Sequence, residues 1–177
     1  MKTIIFLILF FSTSCLGIDY GILKELEGFS PRPYSDHGQT SIGYGTDKDF
    51  AEKVLGKRIS TITRAESDKV LRERVNTEID SLRKELPGFD GYPECVRESL
   101  VCVRYNCPEL IGPNVKSFCS NKDWKGLQKE IAFGFKDGNL YGLVVRHFKE
   151  ANNLSSITGV TLKVPKNLQE FRKQKGK

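Results

Sequence analysis

The stretch that decides the fold runs from Glu27 to Thr46 and reads EGFSPRPYSDHGQTSIGYGT. The residues that lead into it, 22 to 29, place apolar side chains on one helical face, and Gly28 followed by Pro31 ends that helix. The pattern therefore predicts that Glu27 lies on the last turn of a short helix.

A small β-hairpin is predicted directly after this helix. Residues 34 to 36 and 40 to 45 flank a three-residue turn, so Asp36 lies at the bend and Ser41 on the second strand. A hairpin packed beside the helix end brings Glu27 and Asp36 to opposite walls of one cleft. Two carboxylates facing each other across a gap are the arrangement that glycosidic bond cleavage requires.

Three blocks of this stretch resemble the signature of phage-type lysozymes, glycoside hydrolase family 24. They are Glu27-Gly28, Tyr34-x-Asp36 and Ser41-Ile42-Gly43-Tyr44-Gly45, and the nine-residue spacing from glutamate to aspartate is the family's. Further blocks follow in the same order as in the family: Ser99-Leu100-Val101 with Tyr105-Asn106, Asp123-Trp124, and Gly142-Leu143-Val144-Val145-Arg146. The resemblance covers most of residues 20 to 154.

The resemblance implies an α+β, lysozyme-like fold. A small N-terminal lobe with the β-hairpin is joined by a long helix to an all-helical C-terminal lobe. It also implies an inverting lysozyme that hydrolyses the β-1,4 bond between N-acetylmuramic acid and N-acetylglucosamine in peptidoglycan, without a metal or other cofactor. Glu27 is then expected to be the general acid, and Asp36 and Ser41 to position and activate water. Tyr105 is expected to line the saccharide cleft and Arg146 to orient Glu27.

The chain departs from the family pattern at three places. Ser41 stands where the family usually has threonine, Thr46 stands where it has histidine, and one residue fewer separates Asp36 from Ser41. The shorter turn is expected to move Asp36 relative to the water site. Two alternatives therefore stay open: a non-catalytic peptidoglycan-binding or effector protein on the same scaffold, and a lytic transglycosylase in which the glutamate acts alone.

The rest of the chain reads as helices. Thr63 and Glu66 form a capping box at the start of a long periodic segment that Pro87-Gly88 ends. Further helices are predicted over residues 51–55, 94–106, 115–119, 122–133 and 140–154, with Asn121 as the cap of the helix over 122–133.

Both ends of the chain differ in composition from its middle. Lys2 precedes an apolar run from Ile4 to Phe11, which is shorter than the roughly 20 residues of a membrane span. We expect residues 1–17 to be a cleaved signal peptide, with lipidation of Cys15 as the alternative. Residues 18–154 form the predicted catalytic domain. Residues 155–177 form a basic tail that we expect to be flexible, with binding to a polyanion as the alternative.

Four cysteines remain after such cleavage, and they lack the Cys-x-x-Cys spacing of a zinc site. Disulfides are therefore preferred among Cys95, Cys102, Cys107 and Cys119. On one helix Cys95 and Cys102 lie about 10 Å apart along the axis, beyond the roughly 7 Å limit of a disulfide. Two arrangements stay open: Cys102 with Cys107 and Cys95 with Cys119, or a single bridge from Cys107 to Cys119.

Two remaining histidines, His37 and His147, have no metal-ligand neighbour in the sequence, and we interpret both as ordinary residues.

The net charge of the chain indicates which kinds of molecule it is expected to bind. The formal charge of +6 and the isoelectric point near 9.0 favour anionic partners, and no nucleic-acid motif is present. We expect peptidoglycan as the partner, no nucleic acid, no stable membrane anchor after signal cleavage, and a monomer. The expected location is extracellular, with an endo-lysosomal compartment or a bacterial periplasm as alternatives. The Asn153-Leu154-Ser155 sequon and the signal favour secretion for antibacterial or digestive use.

Overall fold

The computed structural model describes residues 21–36, 38–135 and 140–176. The predicted signal peptide, Cys15 and His37 lie outside these residues. Within the described ranges no helix has both the length and the apolar character needed to cross a membrane. The α+β class is confirmed, because a small antiparallel sheet near the N-terminus is followed by a mainly helical chain.

The elements follow one another as α1 (Gly21–Glu27), β1 (Ser30–Asp36), β2 (Gln39–Gly43), β3 (Thr46–Asp47), α2 (Lys48–Leu55), α3 (Arg64–Glu85), α4 (Glu94–Asn106), α5 (Pro113–Ser120), α6 (Trp124–Phe133), α7 (Tyr141–Asn152), α8 (Ser155–Thr158) and α9 (Leu168–Lys175). Short 3-10 turns at Phe89–Gly91 and Pro108–Leu110 lie on either side of α4.

The β-sheet contains most of the stretch from Glu27 to Thr46. Gly28 adopts a φ of 66° and ends α1, and its N–H donates to the carbonyl of Lys24 at 3.1 Å. Strands β1, β2 and β3 then pair antiparallel in that order. Strand β1 begins earlier than the sequence predicted, because it is an edge strand that tolerates Pro31 and Pro33. The predicted turn therefore lies between β1 and β2.

Helix α3 connects two hydrophobic cores. Thr63 and Glu66 form the predicted capping box, with the Glu66 N–H donating to Thr63 Oγ1 and the Thr63 N–H donating to Glu66 Oε2. Val70 packs into the smaller core with Ile42, Ala51, Ile59 and Ile62. The next turns of the helix pack into the larger core through Leu71, Val75, Ile79 and Leu82. The helix thus joins the two lobes, as the resemblance implied.

The cap of α6 differs from the prediction. Asp123, and not Asn121, accepts the capping hydrogen bond, from the Gly126 N–H at 2.9 Å. Asn121 instead closes α5, and Lys122 with a φ of 53° turns the chain between the two helices. Because of this turn, the N-cap of α6 lies two residues later in the chain than predicted.

The C-terminal segment is also different from the prediction. A flexible tail was expected, but α9 is a helix capped by Asn167, whose Oδ1 accepts from the Glu170 N–H. Phe171 of this helix is 1% exposed and belongs to the larger core, and Leu168 packs against that core partly buried. These two apolar residues anchor an otherwise polar helix. The boundary at residue 155 between domain and tail stays a prediction.

All four described cysteines are free thiols, so the structure contains none of the predicted disulfides. Cys95 and Cys102 lie on the single helix α4, as the sequence indicated. Burial raises the pKa of the Cys107 and Cys119 thiols to about 12. Disulfide formation stays a prediction.

Candidate active site

Glu27 meets Arg146 where the end of α1 contacts α7. The Nη2 atom of Arg146 donates to Oε1 of Glu27 at 2.5 Å, and the two side chains are 14% and 12% exposed. A charge-assisted hydrogen bond this well shielded from water is stronger than a neutral one. The contact joins residues 119 positions apart in the chain, and the role of Arg146 in orienting Glu27 stays a prediction.

A second carboxylate lies behind this pair. Arg146 Nε donates to Oε1 of Glu150 at 3.1 Å, and Nδ1 of His147 lies 2.8 Å from the other oxygen of Glu150. Glu150 is fully buried and His147 is 1% exposed. Burial acts to lower the pKa of Arg146, but Glu27 and Glu150 outweigh it and raise that pKa. Arg146 is therefore a permanent cation between two carboxylates.

His147 is buried against Glu150, and Glu150 was not among the site residues predicted from the sequence. The available signal was the spacing, because residues three and four positions apart on a helix are neighbours. Arg146 and Glu150 have the spacing of an i,i+4 ion pair, and His147 and Glu150 have an i,i+3 spacing.

Gly45 lies close to the second carboxylate oxygen of Glu27. Its φ is 68°, and a Cβ atom at this position would lie 2.7 Å from Oε2 of Glu27. Only glycine allows this backbone conformation without strain and this close an approach. The segment after β2 therefore lies close to one oxygen of the carboxylate, and Arg146 Nη2 binds the other.

Asp36 and Ser41 lie together on the hairpin. Ser41 Oγ donates to Oδ2 of Asp36 at 3.5 Å, and Gln39 Nε2 donates to Ser41 Oγ at 3.3 Å. Ser41 is fully buried, opposite Tyr34 in the strand register. The shortened turn therefore keeps the aspartate and the hydroxyl in contact.

Tyr34 relates this pair to Glu27. Burial first, and then the charges of Asp36 and Glu27, raise the pKa of the Tyr34 hydroxyl. Both carboxylates thus act on one tyrosine, which is 37% exposed at the surface of the hairpin. Both predicted acidic residues therefore lie within electrostatic reach of Tyr34.

Tyr105 reaches the hairpin from α4. Its hydroxyl donates to the carbonyl of Tyr44 at 3.2 Å and lies 3.4 Å from Thr46 Oγ1. Burial raises the pKa of Tyr105 to about 12, so it stays a neutral donor. Its ring borders a pocket of about 200 Å³ that is also lined by Gln39, Gly45, Thr46, Asp47, Phe50 and Arg74.

Arg74 lies on α3 and was not predicted as a site residue. Its guanidinium lies 5.9 Å from the centroid of the Tyr105 ring and pairs with Glu78 at 2.9 Å. The contact crosses between α3 and α4, so no local spacing signals it. Arg74 adds a cation to the pocket.

A metal centre has no candidate ligands in the part of the chain that the structure describes, because no group of three or more His, Cys, Asp or Glu side chains is placed to bind one ion.

The fold and the site define the class first: a two-lobed α+β scaffold with acidic residues from the N-terminal helix and hairpin and an arginine from α7. The family model described as Phage lysozyme matches residues 24–150, more than half of the 177 residues. The chain therefore belongs to the phage lysozyme family. All five predicted catalytic and substrate-binding residues lie inside the matched range: Glu27, Asp36, Ser41, Tyr105 and Arg146. A comparison with curated proteins gave no match.

Proposed function

We propose that this protein is an inverting lysozyme that hydrolyses the β-1,4 bond between N-acetylmuramic acid and N-acetylglucosamine in peptidoglycan. Membership of the phage lysozyme family supports glycoside hydrolase activity on peptidoglycan. The observation that carries the proposal is the contact of Arg146 with Glu27 beside the hairpin that holds Asp36 and Ser41.

In the proposed mechanism Glu27 is the general acid. It donates its proton to the glycosidic oxygen as the bond to the anomeric carbon breaks. A water molecule held by Asp36 and Ser41 attacks that carbon from the opposite face, and Asp36 takes the proton from the water. This course inverts the anomeric carbon and matches enzymes whose carboxyl groups stand about 6.5–9.5 Å apart.

The pocket beside Tyr105 supports saccharide binding. Its lining combines two aromatic rings, Tyr105 and Phe50, with the polar side chains of Gln39, Asp47 and Arg74. Rings and polar groups together suit a sugar, which has apolar faces and hydroxyl edges. The formal charge of +6 adds attraction for an anionic wall polymer.

The proposed setting is outside the cell that makes the protein. Support comes from the sequence of residues 1–17, which has the pattern of a cleaved secretory signal, and from the Asn153 sequon. Antibacterial or digestive lysis of bacteria by a monomeric enzyme is the role that this setting favours, with disulfides formed among the four cysteines in an oxidising compartment.

Digestion of purified peptidoglycan tests the proposal. The wild type is expected to release fragments with reducing N-acetylmuramic acid ends, and Glu27→Gln and Asp36→Asn to lose about 10³-fold in rate, as typical for an acid or base that transfers protons. Glu25→Gln is the matched control, because Glu25 lies on the same helix as Glu27, is exposed and forms a surface ion pair with Lys149. Anhydro-muramic ends with activity retained in Asp36→Asn would establish a lytic transglycosylase. Binding without cleavage would establish a non-catalytic protein.

A further inference from the structure

An unbroken series of contacts begins at the C-terminal helix α9, which lies beyond the family-matched residues. Phe171 of α9 stacks on Phe135, with ring centroids 5.5 Å apart. Lys175 of the same helix donates to the carbonyl of Phe135 at 3.0 Å, and its ammonium lies 5.6 Å from the centroid of that ring. Helix α9 therefore fixes Phe135 through both its ring and its backbone.

Phe135 connects helix α9 to helix α7 through a contact with His147. Its ring centroid lies 4.3 Å from that of His147. Because an ionised carboxylate only accepts hydrogen bonds, the 2.8 Å contact with Glu150 requires the proton of His147 to be on Nδ1. The imidazole is therefore held in orientation by an aromatic ring on one side and by Glu150 on the other.

Glu150 uses both of its oxygens in this arrangement. One accepts from His147 and the other from Arg146 Nε. The guanidinium is a planar group with donors in a fixed fork, so a bond at Nε determines where Nη2 points. In this structure Nη2 points at Glu27.

We propose that helix α9, through Phe171 and Phe135, and the buried pair His147 and Glu150 act as positioning residues that hold Arg146 against Glu27. The inference rests on the proposed role of Glu27 as the general acid. It assigns a part in catalysis to the segment after residue 154, which lies outside the family match.

The main test compares Phe171→Ala with Phe89→Ala. Both residues are phenylalanines of the larger core, 1% and 2% exposed, but the ring of Phe89 packs against Tyr92, whereas the ring of Phe171 packs against Phe135. On soluble peptidoglycan fragments Phe171→Ala is expected to lower kcat about tenfold with little change in KM, within the range for residues that act through neighbours. Phe89→Ala is expected to stay within about twofold at a temperature where both are folded. Phe171→Leu replaces Phe171→Ala if the latter does not fold.

A second measurement does not depend on activity. The ¹⁵N–¹H signal of Arg146 Nε reports its bond to Glu150, and it is expected to shift in Phe171→Ala and His147→Leu but not in Phe89→Ala. His147→Asn keeps a donor near the position of Nδ1 and is expected to retain more kcat than His147→Leu.

Failure of the proposed lysozyme function and failure of the positioning inference give different results. A wild type that cleaves nothing overturns the proposed function, whereas the Arg146 signal still tests the positioning. Equal losses of kcat in Phe171→Ala and Phe89→Ala, or an Arg146 signal unchanged in Phe171→Ala and His147→Leu, would overturn the inference.

Discussion

At the scale of single residues, Gly45 decides how closely the hairpin approaches Glu27. Gly45→Ala is expected to lower kcat about 10²-fold, because the new methyl group displaces the Glu27 carboxylate by a large fraction of an ångström. Gly56→Ala is the matched control: Gly56 has nearly the same φ, 67°, and no atom within 4 Å of an added Cβ. Both variants carry the same backbone strain of about 1–2 kcal/mol. Equal kcat values in the two variants would show that the approach to Glu27 is unimportant.

Arg146 combines a structural and a functional contribution. Arg146→Leu leaves Glu150 buried without its cation, and we expect a loss of about 3–5 kcal/mol in the free energy of unfolding. Urea denaturation measures this loss. Arg83→Leu is the control, since its partners Asp80 and Asp90 are exposed, and such pairs contribute less than about 1 kcal/mol.

The double variant Arg146→Leu with Glu150→Leu separates the two contributions. It removes the unpaired charge, so it is expected to be more stable than Arg146→Leu alone. Its activity is expected to stay as low as that of the single variant, because nothing orients Glu27. Recovery of activity together with stability would show that Arg146 acts on the fold alone.

At the scale of elements, the start of α3 gives a pH dependence. The hydrogen bond from Lys57, and then those from Thr63, lower the pKa of Glu66 from 4.5 to about 2. A lowered pKa means that Glu66 stabilises the fold above pH 4.5 and that this contribution is lost as the pH falls from 4.5 towards 2. Urea midpoints of the wild type and Glu66→Gln are expected to differ at pH 7 and to converge at pH 2. Glu73, exposed on the same helix, supplies the control substitution. A difference independent of pH would contradict this role of the capping box.

The elements also show what local sequence predicts. The capping box and the stop at Pro87 are local signals, and α3 was predicted nearly at its observed length. Helix α9 was missed because only Leu168 and Phe171 anchor it through tertiary contacts, and two apolar residues are too few to show a periodic pattern. The early part of β1 was missed because its two prolines disfavour a strand everywhere except at a sheet edge.

The same difference between local sequence signals and long-range contacts applies to the candidate active site. Glu27, Asp36 and Ser41 fall within fifteen residues, so their spacing was visible in the sequence. Arg146 was anticipated only through the family resemblance. The approach of Gly45 to Glu27 and the contact of Phe135 with His147 join distant parts of the chain, and no local pattern indicates such contacts.

At the scale of the whole molecule, the reactivity of the buried cysteine thiols measures how often the protein unfolds. Burial raises the pKa values of Cys102, Cys107 and Cys119, so few of these thiols are ionised at pH 8. In the reduced protein, buried Cys102 and Cys119 are expected to react with Ellman's reagent only at the rate of unfolding, and to react at once in denaturant. Fast reaction of these two thiols in the folded protein would contradict the observed packing. Alkylation followed by mass measurement of secreted protein shows whether the predicted disulfides form.

The central claim is that two lobes assemble one hydrolytic site around Glu27. Mass spectrometry of the sugar ends released from purified peptidoglycan tests it most directly, with the wild type and Glu27→Gln digested side by side. We predict reducing N-acetylmuramic acid ends from the wild type and almost none from Glu27→Gln. Anhydro-muramic ends, no cleavage by the wild type, or equal cleavage by the two proteins would contradict it.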